Sequence, residues 1–200
     1  MKRNLVAAVL FAALATIAAA QYWENIQPFS ADVQSSGRSD EMNGKIHWSG
    51  GSLRMDMKKD GKDVSMINNV PKKTSYIIMH DQRMYMEMAG DRNPLAHRMN
   101  TPQIKPFDPN NPCANQEGYT CKKVGTETVN GRSCDKWEIT GPDGKNTVWI
   151  DQKIHFPVRS VSSDGATFNL TNIKEGPQPA TDFEVPAGYR KFDFGAMGRQ

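Results

Sequence analysis

The sequence predicts a mainly β fold, assembled from consecutive antiparallel hairpins, with one short helix at its start. Turn-forming pairs recur at short intervals: Gly50-Gly51, Asp60-Gly61, Asp81-Gln82, Asn130-Gly131, Asp143-Gly144 and Asp164-Gly165. Such pairs tolerate the positive φ that two-residue hairpin turns require. Between them run segments in which apolar and polar residues alternate, the period of a strand with one face buried. These segments are Phe29–Gln34, Met42–Ser49, Ser52–Lys58, Asp63–Asn68, Thr74–His80, Arg83–Met88, Cys121–Val129, Arg132–Thr140, Asn146–Asp151, Val158–Ser162 and Ala166–Ile173. Only Tyr22–Gln27 is left for a helix.

Residues 1–20 join a basic start (Lys2, Arg3) to an apolar stretch and an Ala18-Ala19-Ala20 end. That is the pattern of a secretory signal cleaved after Ala20, so a periplasmic or secreted protein is expected. Residues 21–200 then form one domain, with no later apolar run long enough to span a bilayer. With Lys2 and Arg3 removed, 23 basic residues face 22 acidic ones. So balanced a charge offers nucleic acid or an anionic membrane no electrostatic footprint.

Hairpin register follows from the turns, because residues directly opposite one another share a face. About Asp60-Gly61, Met57 faces Val64 and Met55 faces Met66, while Arg54, Asp56 and Lys58 point the other way. About Asp81-Gln82, Met79 faces Met84 and Ile77 faces Met86, but Ile78 falls opposite Tyr85 and makes the second face apolar as well. That second face needs a cover. The expected one is the segment 89–119, a lid whose Pro94, Pro102, Pro106, Pro109 and Pro112 forbid a long helix or a central strand.

Three cysteines in an oxidising compartment suggest one disulfide and one free thiol. About Asn130-Gly131, Trp137 falls opposite Val124, Cys134 opposite Glu127 and Cys121 opposite Thr140. Cys121 and Cys134 are then about 20 Å apart along the strands, beyond the ~7 Å between Cα atoms that a bridge tolerates. Cys113–Cys121 is the expected disulfide, with Cys134 free.

The Phe29-Ser30-Ala31-Asp32-Val33 strand, the hairpins, Val148-Trp149-Ile150-Asp151 leading to Phe156-Pro157-Val158-Arg159, and Phe183-Glu184-Val185-Pro186-Ala187-Gly188-Tyr189 resemble the LolA/LolB lipoprotein-carrier superfamily over roughly residues 22–193. The resemblance implies an unclosed antiparallel barrel around an apolar cavity and a partner that is a lipid, a lipoprotein acyl chain or another apolar molecule. The first helix here is a stub beside the longer one of the carriers.

The candidate ligand-binding face is Trp48, Met55, Met57, Met66, Ile77, Met79, Met84 and Met86. Nine methionines lie between Met42 and Met99, and their unbranched, polarizable side chains adapt to flexible apolar partners. The plain alternative is a closed core in an envelope interaction or scaffold protein. A third reading takes His80, Met84, Met86 and Met88 as copper(I) ligands, although register puts His80 on the opposite face. Nothing resembles a nucleophile elbow, a zinc-protease motif or a phosphate loop, and the histidines are scattered. Asp151 and His155, four apart, fall around a turn rather than on a helix. A monomer without catalysis or cofactor is expected.

Overall fold

A computed structural model describes residues 25–37, 42–89, 108–114, 117–142 and 144–192. Among the described residues, twelve strands form one sheet: β1 Phe29–Ser36, β2 Met42–Ser49, β3 Ser52–Lys59, β4 Lys62–Asn69, β5 Thr74–Met79, β6 Met84–Ala89, β7 Thr120–Val129, β8 Arg132–Gly141, β9 Gly144–Asp151, β10 Pro157–Ser162, β11 Thr167–Glu175 and β12 Arg190–Lys191. Their order is β12-β6-β5-β4-β3-β2-β1-β11-β10-β9-β8-β7. Two meanders therefore meet where β1 pairs with β11, and the sheet curves without closing into a barrel. All pairings are antiparallel except the short one between β12 and β6.

Three of the turns behave as their residues dictate, whereas at Asp81-Gln82 the connection runs from His80 to Arg83 and the positive φ falls on Arg83. Gly50-Gly51, Asp60-Gly61 and Asn130-Gly131 all have positive φ at both positions, the geometry that matches the twist of the flanking strands. The registers of β3 with β4 and β5 with β6 agree with those read from the sequence. In the β7–β8 hairpin the agreement runs from the turn through Glu127↔Cys134 to Gly125↔Lys136 and ends there: a bulge between Lys123 and Gly125 sets Trp137 opposite Lys123, not Val124, and Cys121 opposite Ile139, not Thr140. Gly125 sits there at φ 156.

One further expectation is corrected. Of the helix expected over Tyr22–Gln27, residues 22–24 lie outside the described residues and the rest form a turn. The proline-rich lid expected over 89–119 falls largely on residues 90–107, which lie outside the described residues. Among the described residues, another segment packs on the second face of β5 and β6. It is the carboxy-terminal stretch, in which a 3-10 turn (Ala180–Phe183) and Tyr189 pack on Ile67, Ile78, Tyr76 and Tyr85. The physical reason lies in the closing motif, because Phe183 and Tyr189 are the apolar groups that segment has to bury.

The main core sits at the junction of the meanders, where Phe29, Val33, Ile46, Trp48, Trp149, Ile154, Val158 and Leu170 are buried together. Phe156 closes it, its ring 5.1 Å from Phe29 and 5.7 Å from Trp48. The β9–β10 connection that delivers Phe156 is fixed by Asp151. Its buried carboxylate accepts from the backbone N–H groups of Lys153 and Ile154 at 2.8 Å each and from the Arg132 guanidinium at 2.5 and 3.0 Å. His155, four residues on, bonds the Asn25 carbonyl at 2.7 Å and belongs to the same turn, with no chemistry shared with Asp151.

Candidate functional site

From β1 to β6 the register runs through five pairings without a bulge, so every side chain can be followed across the sheet. One transverse row reads Gly44, Met57, Val64, Met79, Met84. The next reads Ala31, Ile46, Met55, Met66, Ile77, Met86, and the third Phe29, Trp48, Leu53, Asn68, Ser75, Met88. Opposed residues share a face. All eight candidate residues therefore lie on one face of the sheet, with Met88 as a ninth.

Exposure grades along these rows. Phe29, Ile46 and Trp48 are fully buried, whereas Met55, Met57, Met66, Ile77, Met79, Met84 and Met86 are half-buried. Trp48 therefore belongs to the core and stands behind the methionines, not at the mouth of a groove. Gly44 has its own constraint, because a Cβ there would come within 2.1 Å of the Asp56 carbonyl oxygen. The close approach of β2 to β3 beside Met57 depends on that missing side chain.

The opposite face carries the apolar Ile67, Ile78, Tyr76 and Tyr85 under the carboxy-terminal stretch and, beside them, a polar network. Arg54 donates to Asp56 at 2.7 Å, to Ser65 Oγ at 3.2 Å and to the Asp182 carbonyl at 3.0 Å. Ser65 Oγ lies 2.5 Å from Asp56 Oδ1 and 2.6 Å from His80 Nε2, and His80 Nδ1 lies 2.9 Å from the Tyr189 hydroxyl. The single Ser65 proton goes to the carboxylate, so His80 donates from Nε2 and accepts from Tyr189 at Nδ1. A serine beside a histidine oriented by a third group has the outline of an activated nucleophile. Here Ser65 is 1% exposed and its proton is committed to Asp56, so the network acts as a clamp that ties the carboxy-terminal stretch to β3, β4 and β5. His47 adds a second tie, 3.2 Å from both Gln178 and Asp182. An open trough of about 690 Å³ runs beside the clamp, lined by Lys45, Arg54, Asp56, Lys58, Ser65 and His80 among others. Charged side chains rim this hollow, and Met57 and Val64 contribute to its lining.

His80 thus faces away from Met84, Met86 and Met88, which removes the one nitrogen ligand from the copper reading. Among the described residues, no group of three or more His, Cys, Asp or Glu side chains is placed to hold a metal ion. Cys113 and Cys121 are bridged, with Cα atoms 5.7 Å apart, and Cys134 is free and buried. Burial, with the Asp151 charge behind it, pushes the Cys134 thiol up to about 11, which makes it a poor nucleophile. Sequence reading missed the Arg54–Ser65–His80 clamp. The available signal was polar residues at alternate positions of β3 and β4 facing a histidine, which only a cover on that face could bury.

An unclosed antiparallel half-barrel, with one methionine-rich face and the other crossed by a strap and a polar clamp, is the LolA/LolB-like fold that the sequence motifs suggest. The chain belongs to the family of the domain of unknown function DUF4412, whose model matches residues 32–155. No curated protein matches it in sequence. Among solved structures, an uncharacterized conserved protein from Thermus thermophilus is 12% identical, with 90% of this chain and 98% of that chain covered and a TM-score of 0.56. MucB in the Pseudomonas aeruginosa MucA/MucB complex is 19% identical at a TM-score of 0.51, with 85% of this chain covered against 61% of that one. A LolA superfamily protein from Nitrosomonas europaea is 11% identical over 84% of this chain and 96% of that one, at a TM-score of 0.34. Identities of this size speak to the fold.

Proposed function

We propose that the protein is exported with cleavage after Ala20 and acts in the periplasm or outside the cell as a non-enzymatic carrier or sensor that holds an apolar chain, such as a lipid or a lipoprotein acyl group, against the methionine face. The observation that carries this reading is the unbroken register from β1 to β6, which gathers Met55, Met57, Met66, Met79, Met84 and Met86 into adjacent half-buried rows. A filled core favours shape-specific branched side chains, whereas unbranched thioethers suit a partner of variable shape. Burying ten ligand methylenes yields about 8 kcal/mol gross, close to the ~8 kcal/mol of micromolar binding before ordering costs are met. Reversible loading suits a carrier. No described helix is long and apolar enough to cross a membrane.

Native mass spectrometry of freshly purified mature protein, before and after incubation with a long-chain fatty acid or a diacylated lipopeptide, tests the reading. Bound lipid that is lost in a folded Met86→Asp variant supports it. Empty protein that ignores both additives contradicts it, and a Met86→Asp chain that unfolds indicates the closed core of a scaffold protein instead.

A further inference from the structure

Among the described residues, strand β7 ends the sheet with no strand paired on its outer side. From Thr120 to Thr128 every residue but the half-buried Cys121 is exposed, and Val124 is the exposed large apolar side chain among the described residues, at 40%. The other end differs. There Arg190 of the carboxy-terminal stretch donates its backbone N–H to the Arg83 carbonyl just before β6, and Phe192 donates to Tyr85 within it, capping part of that edge.

The backbone polarity of β7 follows from its turn. The two-residue Asn130-Gly131 turn makes Val129 and Arg132 a hydrogen-bonded pair. Alternation then directs the N–H and C=O groups of Glu127 and Gly125 toward β8, and those of Thr128 and Thr126 outward. The bulge inserts one residue. The β8–β9 turn fixes the same alternation on β8, so beyond the bulge Lys122, opposite Glu138, points its backbone inward, and Lys123 and Cys121 point theirs outward.

We propose that two copies of the chain pair antiparallel through their β7 edges about a twofold axis between Val124 and Gly125, forming one continuous sheet. Three independent properties of β7 select that register. Outward-facing backbone meets outward-facing backbone, with Lys123 opposite the partner copy's Thr126 and Cys121 opposite its Thr128, as an antiparallel ladder needs. Side chains keep their faces across the junction, because Lys122 and Glu127 lie on the same face of the sheet, opposite Glu138 and Cys134 of β8 respectively. Charge agrees too, since that register sets Lys122 of each copy opposite Glu127 of the other, an opposed pair of unlike charges. Val124 of both copies falls at the axis and is covered. Bulges and lysines ordinarily guard an edge against stray strands. Here the bulge lies on the axis, where a second copy matches it residue for residue and a regular strand does not, so the guard becomes a selector for self. The dimer replaces the monomer expected from sequence and does not depend on what the methionine face binds.

Sedimentation velocity of the mature protein over a concentration series tests the pairing, with Thr126→Pro and Lys122→Glu as variants. Proline at 126 removes an N–H that points away from β8, so the monomer keeps its ladder. The expected result is a monomer–dimer equilibrium in the natural chain, loss of the dimer in Thr126→Pro with an unchanged circular dichroism spectrum, and at least tenfold weaker association in Lys122→Glu. A natural chain that stays monomeric up to about 1 mM, the limit of a ~4 kcal/mol association, overturns the proposal. So does a dimer that persists undiminished in Lys122→Glu or in folded Thr126→Pro.

Discussion

Asp151 shows how much one buried carboxylate organises. Burial alone would raise its pKa, but the Arg132 guanidinium and the backbone N–H groups of Ile154 and Lys153 outweigh it and hold the carboxyl below its ordinary value of 3.8. Glu175 shares the same guanidinium at 2.9 Å, which ties β11 to the turn. A depressed carboxyl contributes stability that is fully present above its ordinary value and is lost as the pH falls through the lower folded one. Asp151→Asn should cost about 3–5 kcal/mol at neutral pH, because it leaves the arginine partly buried without its main partner. Urea titration measures the loss, and repetition below pH 4 should show the variant less acid-sensitive than the natural chain. Cys134 supplies a second test. With its thiol pushed up to about 11 and buried, it should resist a thiol-specific reagent at pH 8 in the native protein and react at once in denaturant. The pairing of Cys113 with Cys121 was legible because hairpin register excluded Cys134 as the partner of Cys121, and the seven residues between Cys113 and Cys121 can close a small loop. The role of Asp151 was not legible, since four-residue spacing around a turn gives no periodic signal and its partners come from β8 and from the turn's own backbone.

Hairpins were the most legible elements, and the departures from them have local causes. Asp60-Gly61 fixed the pairing of β3 with β4 because both residues adopt the positive φ that such a turn needs. At β7 the same extrapolation slipped by one residue, since a bulge leaves no mark on the alternation except Gly125 itself. The strap was missed for another reason. Its apolar residues, Phe183 and Tyr189, are too sparse to show a period, and they bury against β4, β5 and β6, far away in sequence. Truncating Phe183 to alanine should cost about 3 kcal/mol, as for other buried phenylalanines, with Tyr189→Phe costing ~1 kcal/mol through its lost bond to His80. Thermal melts of both variants give the comparison; equal losses would mean that the clamp and not the packing carries the strap. Replacing Cys113 and Cys121 by serine should cost roughly 2–3 kcal/mol, the closure entropy of so short a loop.

At the scale of the molecule, the sheet separates two tasks. One face is locked by a polar clamp and a strap, and the other carries half-buried thioethers that grade into a closed core at Trp48 and Phe29. The overall architecture was legible because turn spacing and motif resemblance agreed, whereas the joining of the two meanders through β1 and β11 depends on pairings more than 130 residues apart, which no local pattern encodes. Methionine oxidation footprinting tests the central claim most directly. Dilute peroxide converts accessible thioethers to sulfoxides, and each methionine can be read by mass spectrometry of peptides with and without an added long-chain fatty acid. Met55, Met57, Met66, Met79, Met84 and Met86 should oxidise together in the delipidated protein and be protected together when the fatty acid is present. Oxidation at those six positions that the fatty acid leaves unchanged, or six methionines inert in both states, would contradict a binding face built on this sheet.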